Sequence, residues 1–243
     1  MGGEADRAPG VCSIRSLTET VREVARIGLA PTRRNVLHWL SWAITLAGIL
    51  ILTAVVAGSG IFGWEEDLTR ELQSVDYPDW AVEITASSLE DPLSWQGALI
   101  WVAAVALLAL RRLRLEAALA ALALPLHVLG NFPKAIVDRV RPSELFDGIM
   151  SADTSFASGH SEFAVTFFGF LAYIATIRLK SAVARISLVV AWLSFVALVG
   201  FGRINDGHHW PLDVLGGYIV GIGLLSGLIW LRTSFHQVLS DTE

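Results

Sequence analysis

Three short stretches concentrate side chains that bind anions and move protons. The first runs from Lys134 to Arg141-Pro142. The next is Ala157-Ser158-Gly159-His160, and the last runs from Arg203 through His208 and His209 to Asp213. An arginine guanidinium is a planar fork matched to phosphate oxygens, and a lysine ammonium is a compact point charge. Ser158 and Gly159 precede an expected helix, where backbone N–H groups bind anions and glycine lets an oxygen approach closely. His209 and Asp213 are four apart, which puts both on one helical face provided the first turn has formed. A carboxylate paired to one imidazole nitrogen orients the ring and leaves the other nitrogen to attack. A second histidine, His160, can protonate the leaving oxygen. Three cations, one oriented histidine and one acid histidine make a phosphoryl-transfer site. No carboxylate cage for a metal accompanies them, so neither a metal nor a cofactor is expected.

Something must hold these groups, and the rest of the chain is apolar. Of 243 residues, 53% are hydrophobic and 17% are charged, with a mean hydropathy of +0.56. That composition excludes a disordered chain and an ordinary soluble domain. A bilayer-crossing helix needs roughly 20 mostly apolar residues. Six candidate runs occur, at Val36–Gly58, Leu93–Leu110, Leu115–Phe132, Ser161–Ile177, Ile186–Phe201 and Val214–Leu231. An all-α, six-transmembrane-helix bundle is therefore expected over residues 36–232, flanked by tails at 1–35 and 233–243. The first run starts too late and is too long for a cleaved signal peptide. In the N-terminal tail Ile14, Leu17, Val21, Val24 and Ile27 are spaced like one helical face, with arginines between them. That pattern reads as a helix lying on the inner leaflet.

Charge sets the orientation. With the N-terminus in the cytoplasm, the inner segments hold thirteen of the eighteen basic residues. The outer ones hold only Arg70, Lys134, Arg139, Arg141 and Arg203. The positive-inside rule then places both termini in the cytoplasm and all three chemical stretches outside. Trp64 to Asp91 forms an acidic outer loop, with Glu65, Glu66, Asp67, Glu71, Asp76, Asp79, Glu83, Glu90 and Asp91 against Arg70. Its length and composition suit helices lying on the outer surface. The net charge of −5 offers nothing to a nucleic acid. Cys12 is the sole cysteine, which excludes an intramolecular disulfide and a cysteine metal cluster. Four of the five outer cations sit in the chemical stretches, where ionisable groups beside a membrane are costly unless paired or functional.

Together the stretches resemble the type 2 phosphatidic acid phosphatase superfamily, whose pattern is K-x6-R-P, then P-S-G-H, then S-R-x5-H-x3-D. Lys134 and Arg141-Pro142 match the first part in full. Ser158-Gly159-His160 match the second, with Ala157 where proline is usual. Arg203, His209 and Asp213 match the third, with Gly202 where serine is usual. The resemblance implies that Lys134, Arg141, Arg203, Ser158 and the Gly159 amide bind the phosphate. It makes His209 a nucleophile that forms a phosphohistidine, held by Asp213, with His160 as general acid. It further implies a metal-independent lipid phosphatase of the cell membrane acting at the extracytoplasmic face. Its substrates would be phosphatidate, phosphatidylglycerophosphate, or polyprenyl mono- or diphosphates. A lipid phosphotransferase using the same site is the first rival. An anion transporter is the second, and it would need polar residues deep in several spans.

Neighbouring polar residues read as structural. His208 falls outside the spacing. Asp138, Arg139 and Asp206 read as loop salt-bridge partners, and Arg139→Ala is expected to lose far less activity than Arg141→Ala. His127 and Asn131, four apart, read as a polar packing pair in the third span. Glu162 reads as an acid favoured by the helix dipole. Gly216, Gly217, Gly221, Gly223 and Gly227 crowd the sixth span, which suits close helix packing.

Overall fold

A Ser or Thr side chain opens each of four helices by accepting a hydrogen bond from an unpaired backbone N–H of the first turn. Thr32 accepts from Asn35 N at 3.2 Å, and Ser94 accepts from Gly97 N at 3.0 Å. Ser158 accepts from Ser161 N, and Ser181 from Ala184 N. Pro142 and Pro211 open two more, since a first-turn residue needs no N–H. The computed structural model describes residues 19, 21–24, 26, 32–76, 78, 93–151 and 154–240. Among these the regular structure is entirely helical. Its α-helices are α1 (Arg33–Ser59), α2 (Gly63–Gln73), α3 (Trp95–Leu110), α4 (Arg114–Gly130), α5 (Pro142–Asp147), α6 (Gly159–Phe163), α7 (Gly169–Thr176), α8 (Ala182–Asn205) and α9 (Pro211–Ser240). A 3-10 turn, Phe132–Ala135, follows α4, and a π-helical turn, Ala164–Phe168, joins α6 to α7.

Four helical stretches are long and apolar enough to cross a bilayer: Asn35–Ser59, Arg114–Ala135, Ala182–Asn205 and Pro211–Val238. The expected second run is the apolar helix α3, whose 16 residues rise only about 24 Å. The expected fourth run is α6, the π turn and α7 in succession. Their outward faces carry large apolar side chains, such as Leu37, Leu40, Ile44 and Ile51 on α1 and Ile186, Val190 and Leu193 on α8. Such a continuous exposed apolar belt suits lipid rather than water. Inside, Ala120, Ala123, Phe163, Phe167, Phe170 and Leu228 form the main core, drawn from α4, α6, the π turn, α7 and α9.

α9 is the central strut. It packs chiefly on α1 and on α6, and its glycines permit this. A Cβ on Gly217 would collide with the Ser158 carbonyl and meet Glu162 N at 3.1 Å. One on Gly221 would meet Glu162 O at 2.8 Å. The expectation of close helix packing is met here, backbone against backbone. Of the proposed N-terminal amphipathic face, Val21 and Val24 lie among the described residues, and both are helical. Ile14, Leu17 and Ile27 fall outside them, as do Cys12, Asp79, Glu83, Glu90 and Asp91.

Candidate active site

The end of α4, the α4–α5 segment, the start of α6 and the α8–α9 turn converge on one cavity of about 330 Å³. Its polar lining is His127, Asn131, Lys134, Arg141, Gly159, His160 and His209, and Leu93 and Val128 add an apolar edge. Each side chain arrives by a local device. The 3-10 turn after α4 presents Lys134. Pro142 opens α5 with Arg141 just before it, and Arg141 Nη1 donates to the His208 carbonyl at 3.1 Å. The Ser158 cap places Gly159 and His160 in the first turn of α6. Gly207, at φ 72°, makes the turn out of α8, a conformation that glycine adopts without strain. The Arg203 carbonyl then accepts from both His208 N (3.1 Å) and His209 N (3.0 Å).

Five of the sequence-predicted residues, Lys134, Arg141, Gly159, His160 and His209, thus share the cavity. Ser158, Arg203 and Asp213 do not line it. Ser158 is buried, with its hydroxyl tied to Ser161, while its N–H donates to the Asp213 carbonyl at 3.0 Å. This bond couples the second chemical stretch to the third. Arg203 pairs with Asp206 at 3.1 Å.

The expected His209–Asp213 pairing takes a different form. Asp213 Oδ2 stands 3.8 Å from His209 Nδ1, too far for a hydrogen bond. Nδ1 instead donates to the Ser155 carbonyl at 2.8 Å. The reason is where the helix begins. α9 starts at Pro211, so His209 precedes the first turn and the four-residue spacing is not realised on a helix. Asp213 accepts from Trp210 N at 2.8 Å and from Arg139 Nη1 at 2.5 Å. The Ser155 carbonyl can only accept, so Nδ1 carries the ring hydrogen and Nε2 keeps its lone pair. Burial pulls the His209 pKa down to about 4. Asp213 opposes that, and the charges of Arg141 and Lys134 add to it.

Arg139 is a loop salt-bridge partner, as expected, but a buried one whose pairs reach into α2 and α9. It is 3% exposed, and its guanidinium bridges two buried carboxylates. Nη1 meets Asp213, and Nη2 meets Glu65 Oε2 at 2.5 Å and the Gly60 carbonyl at 3.1 Å. Removing one member of a buried pair strands the others and costs several kcal/mol, about 3–5. A loss of stability is therefore expected of Arg139→Ala, whatever its effect on turnover. Glu65 belongs to the expected acidic outer loop, yet it does not stand at a surface. It is instead fully buried in α2 and accepts Leu212 N at 3.1 Å, which fixes the start of α9. Nothing in its sequence context marks it out among nine acids. His127 and Asn131 pair as expected, the Asn131 amide nitrogen lying 3.2 Å from His127 Nε2; beyond that expectation, Glu162 meets His127 at 2.5 Å, and His127 and Asn131 line the cavity. The four-residue spacing of His127 and Asn131 was the available signal.

These features define a helical membrane protein with a cationic, histidine-bearing cavity. Residues 113–236, just over half the chain, match the model of the PAP2 superfamily, and the chain belongs to that superfamily. It is 34% identical over 82 residues to lipid phosphate phosphatase 2 of Arabidopsis thaliana, covering 31% of this chain and 28% of that one. It is 37% identical over 90 residues to a PA-phosphatase related-family protein of Dictyostelium discoideum, covering 35% and 24%. The aligned stretches thus span about a quarter of those relatives' lengths. The crystal structure of a transmembrane PAP2-type phosphatidylglycerolphosphate phosphatase from Bacillus subtilis overlays with a TM-score of 0.43 at 19% identity. That overlay covers 89% of this chain and 95% of the other.

Proposed function

We propose that the protein is an integral-membrane lipid phosphatase that removes a phosphate from a lipid phosphate monoester or diphosphate without a metal. The observation that carries this reading is the convergence of Lys134, Arg141, His160 and His209 on one cavity with an apolar edge. His209 Nε2 attacks phosphorus, the bond to the leaving oxygen breaks, and His160 gives that oxygen its proton. Water then attacks the phosphohistidine, giving its proton to His160 and returning His209 to its starting state. Lys134 and Arg141 hold phosphate oxygens whose charge grows in the transition state. Arg203, Ser158 and the Gly159 amide complete the phosphate cradle, as the resemblance implies, and Asp213, which accepts from Trp210 N, steadies the turn that carries His209. Six membrane passes over residues 36–232, with short cytoplasmic tails, would put the cavity on the extracytoplasmic side. The charge split of the loops supports that orientation.

The test is release of inorganic phosphate by purified protein from phosphatidate, phosphatidylglycerophosphate and polyprenyl diphosphate, with and without a chelator. Release that survives chelation and is blocked by vanadate is expected. Activity lost to a chelator and restored by magnesium would overturn the metal-free mechanism. Phosphate appearing on an acceptor lipid instead of in water would favour transfer over hydrolysis.

A further inference from the structure

Two polar residues of the cavity wall, His127 and Asn131, take no part in the chemistry proposed above. Both belong to the end of α4, and their hydrogen bonds run in one direction only. The His127 carbonyl can only accept, so the Asn131 amide nitrogen must face it, at 3.0 Å. The same nitrogen lies 3.2 Å from His127 Nε2, which therefore accepts. Nδ1 then holds the ring hydrogen and donates to Glu162 Oε2 at 2.5 Å. The other Glu162 oxygen accepts from Thr166 Oγ1 at 2.6 Å. His127, Glu162 and Thr166 are all buried. Every donor in the chain is used, and Asn131 Oδ1 is left without a hydrogen-bond donor among the described residues.

That oxygen sits beside the reacting centre. A Cβ on Gly159 would lie 2.9 Å from Asn131 Oδ1 and 3.1 Å from His127 Cε1. Oδ1 therefore borders the bare edge of Gly159, next to His160. A bare acceptor repels a phosphate oxygen, so it does not extend the phosphate cradle. It suits a hydroxyl.

We propose that Asn131 determines specificity: its Oδ1 accepts a hydrogen bond from a hydroxyl on the group that leaves, close to the ester oxygen that His160 protonates. The protein then favours phosphate esters of hydroxylated headgroups over matched esters without the hydroxyl. His127 and Glu162 are positioning residues that hold the Asn131 amide in this sense. The inference rests on the phosphatase reading.

The experiment uses lysophosphatidate and its 2-deoxy analogue, which differ by one hydroxyl, with the full-length protein in mixed micelles. The wild type should turn over the hydroxylated ester with kcat/KM about tenfold higher, the worth of one well-placed hydrogen bond. In Asn131→Ala that ratio should fall to about one, whatever the variant's overall rate. Glu162→Met, which keeps a similar volume but removes the acceptor of the His127 Nδ1–H, should lower the ratio too and guards against misfolding of the first variant. A ratio near one in the wild type, or a ratio preserved in both variants, overturns the proposal. Phosphate release from both esters without discrimination sinks only this subsite. No release from these esters or from phosphatidate, phosphatidylglycerophosphate and polyprenyl diphosphate sinks the phosphatase reading with it, and release from polyprenyl diphosphate alone sinks only this subsite.

Discussion

The side chain of His208 is exposed, whereas that of His209 is 2% exposed and lines the cavity. His208 contributes through its backbone, because its carbonyl receives Arg141 and its N–H reaches the Arg203 carbonyl. A change of its side chain leaves both bonds available. His209→Ala should therefore abolish turnover and the phosphoprotein trapped by acid quench with labelled substrate. His208→Ala should keep both, perturbing affinity at most. A phosphoprotein that persists in His209→Ala and vanishes in His208→Ala would reverse the assignment. The same quench, run against pH, reads the titration of His209. Its folded pKa, about 4, lies below the ordinary histidine value of 6.5, so the imidazole stays neutral and nucleophilic through the range where a solvated histidine protonates. The acid limb of phosphoenzyme formation due to His209 should lie below pH 5. A limb centred near 6.5 would mean a solvated ring. The sign for folding follows the same shift. Its contribution to stability is intact above pH 6.5 and declines as pH falls towards 4, because the unfolded imidazole takes a proton that the buried one refuses. The choice of His209 over His208 as the candidate for the attacking role rests on its spacing from Arg203 and Asp213 and on the family resemblance. Its hydrogen-bond partner was not legible, because a backbone carbonyl such as that of Ser155 has no signature in a side-chain sequence.

At the level of elements, the chemical stretch Ser158–His160 is placed by the contact of α6 with α9. That contact tolerates no added atoms at Gly217, where a new methyl group would meet backbone of Ser158 and Glu162. Gly217→Ala should destabilise the protein by roughly 1–3 kcal/mol and lower kcat further by displacing His160. Gly227→Ala should be nearly neutral, since its Cβ would approach nothing closer than the Trp42 ring at 3.9 Å. Thermal unfolding in detergent, with activity measured alongside, separates the two. Equal effects at both positions would show that helix flexibility rather than contact is what matters. Hydropathy shows where the apolar helices lie because lipid demands long apolar runs. It does not show the interruption at Ala164–Phe168, which coincides with a Thr166 hydroxyl shared between Glu162 and the Gly221 carbonyl. Such π turns depend on side-chain partners from other helices, which a local pattern does not contain.

For the whole molecule, the orientation argued from loop charges predicts which face meets the outside. Asp76, exposed just beyond α2, offers a reporter. An Asp76→Cys variant carrying Cys12→Ser should react with a membrane-impermeant thiol reagent in intact cells. Protection there, with labelling only after lysis, would invert the topology. The two ends of the bundle are held differently. Away from the cavity, Glu116 on α4 gathers Arg178, Arg232 and His236 at 3.1, 2.9 and 3.4 Å, and so joins α4, the end of α7 and α9. The acidic side chains behind both ends were visible as residues but not as partners, because their contacts cross many tens of positions. Glu65, Arg139 and Asp213 illustrate what that separation means in time. A ribosome delivers them in that order, so Glu65 has no guanidinium to meet until Arg139 emerges, and Arg139 has one carboxylate too few until α9 begins. A nascent chain halted before Pro211 would already hold Lys134, Arg141, His160 and even His209, yet α9 would not be there to anchor the turn that carries His209. On the phosphatase reading, the site would stay incomplete during synthesis, and turnover would be expected only once α9 is in place.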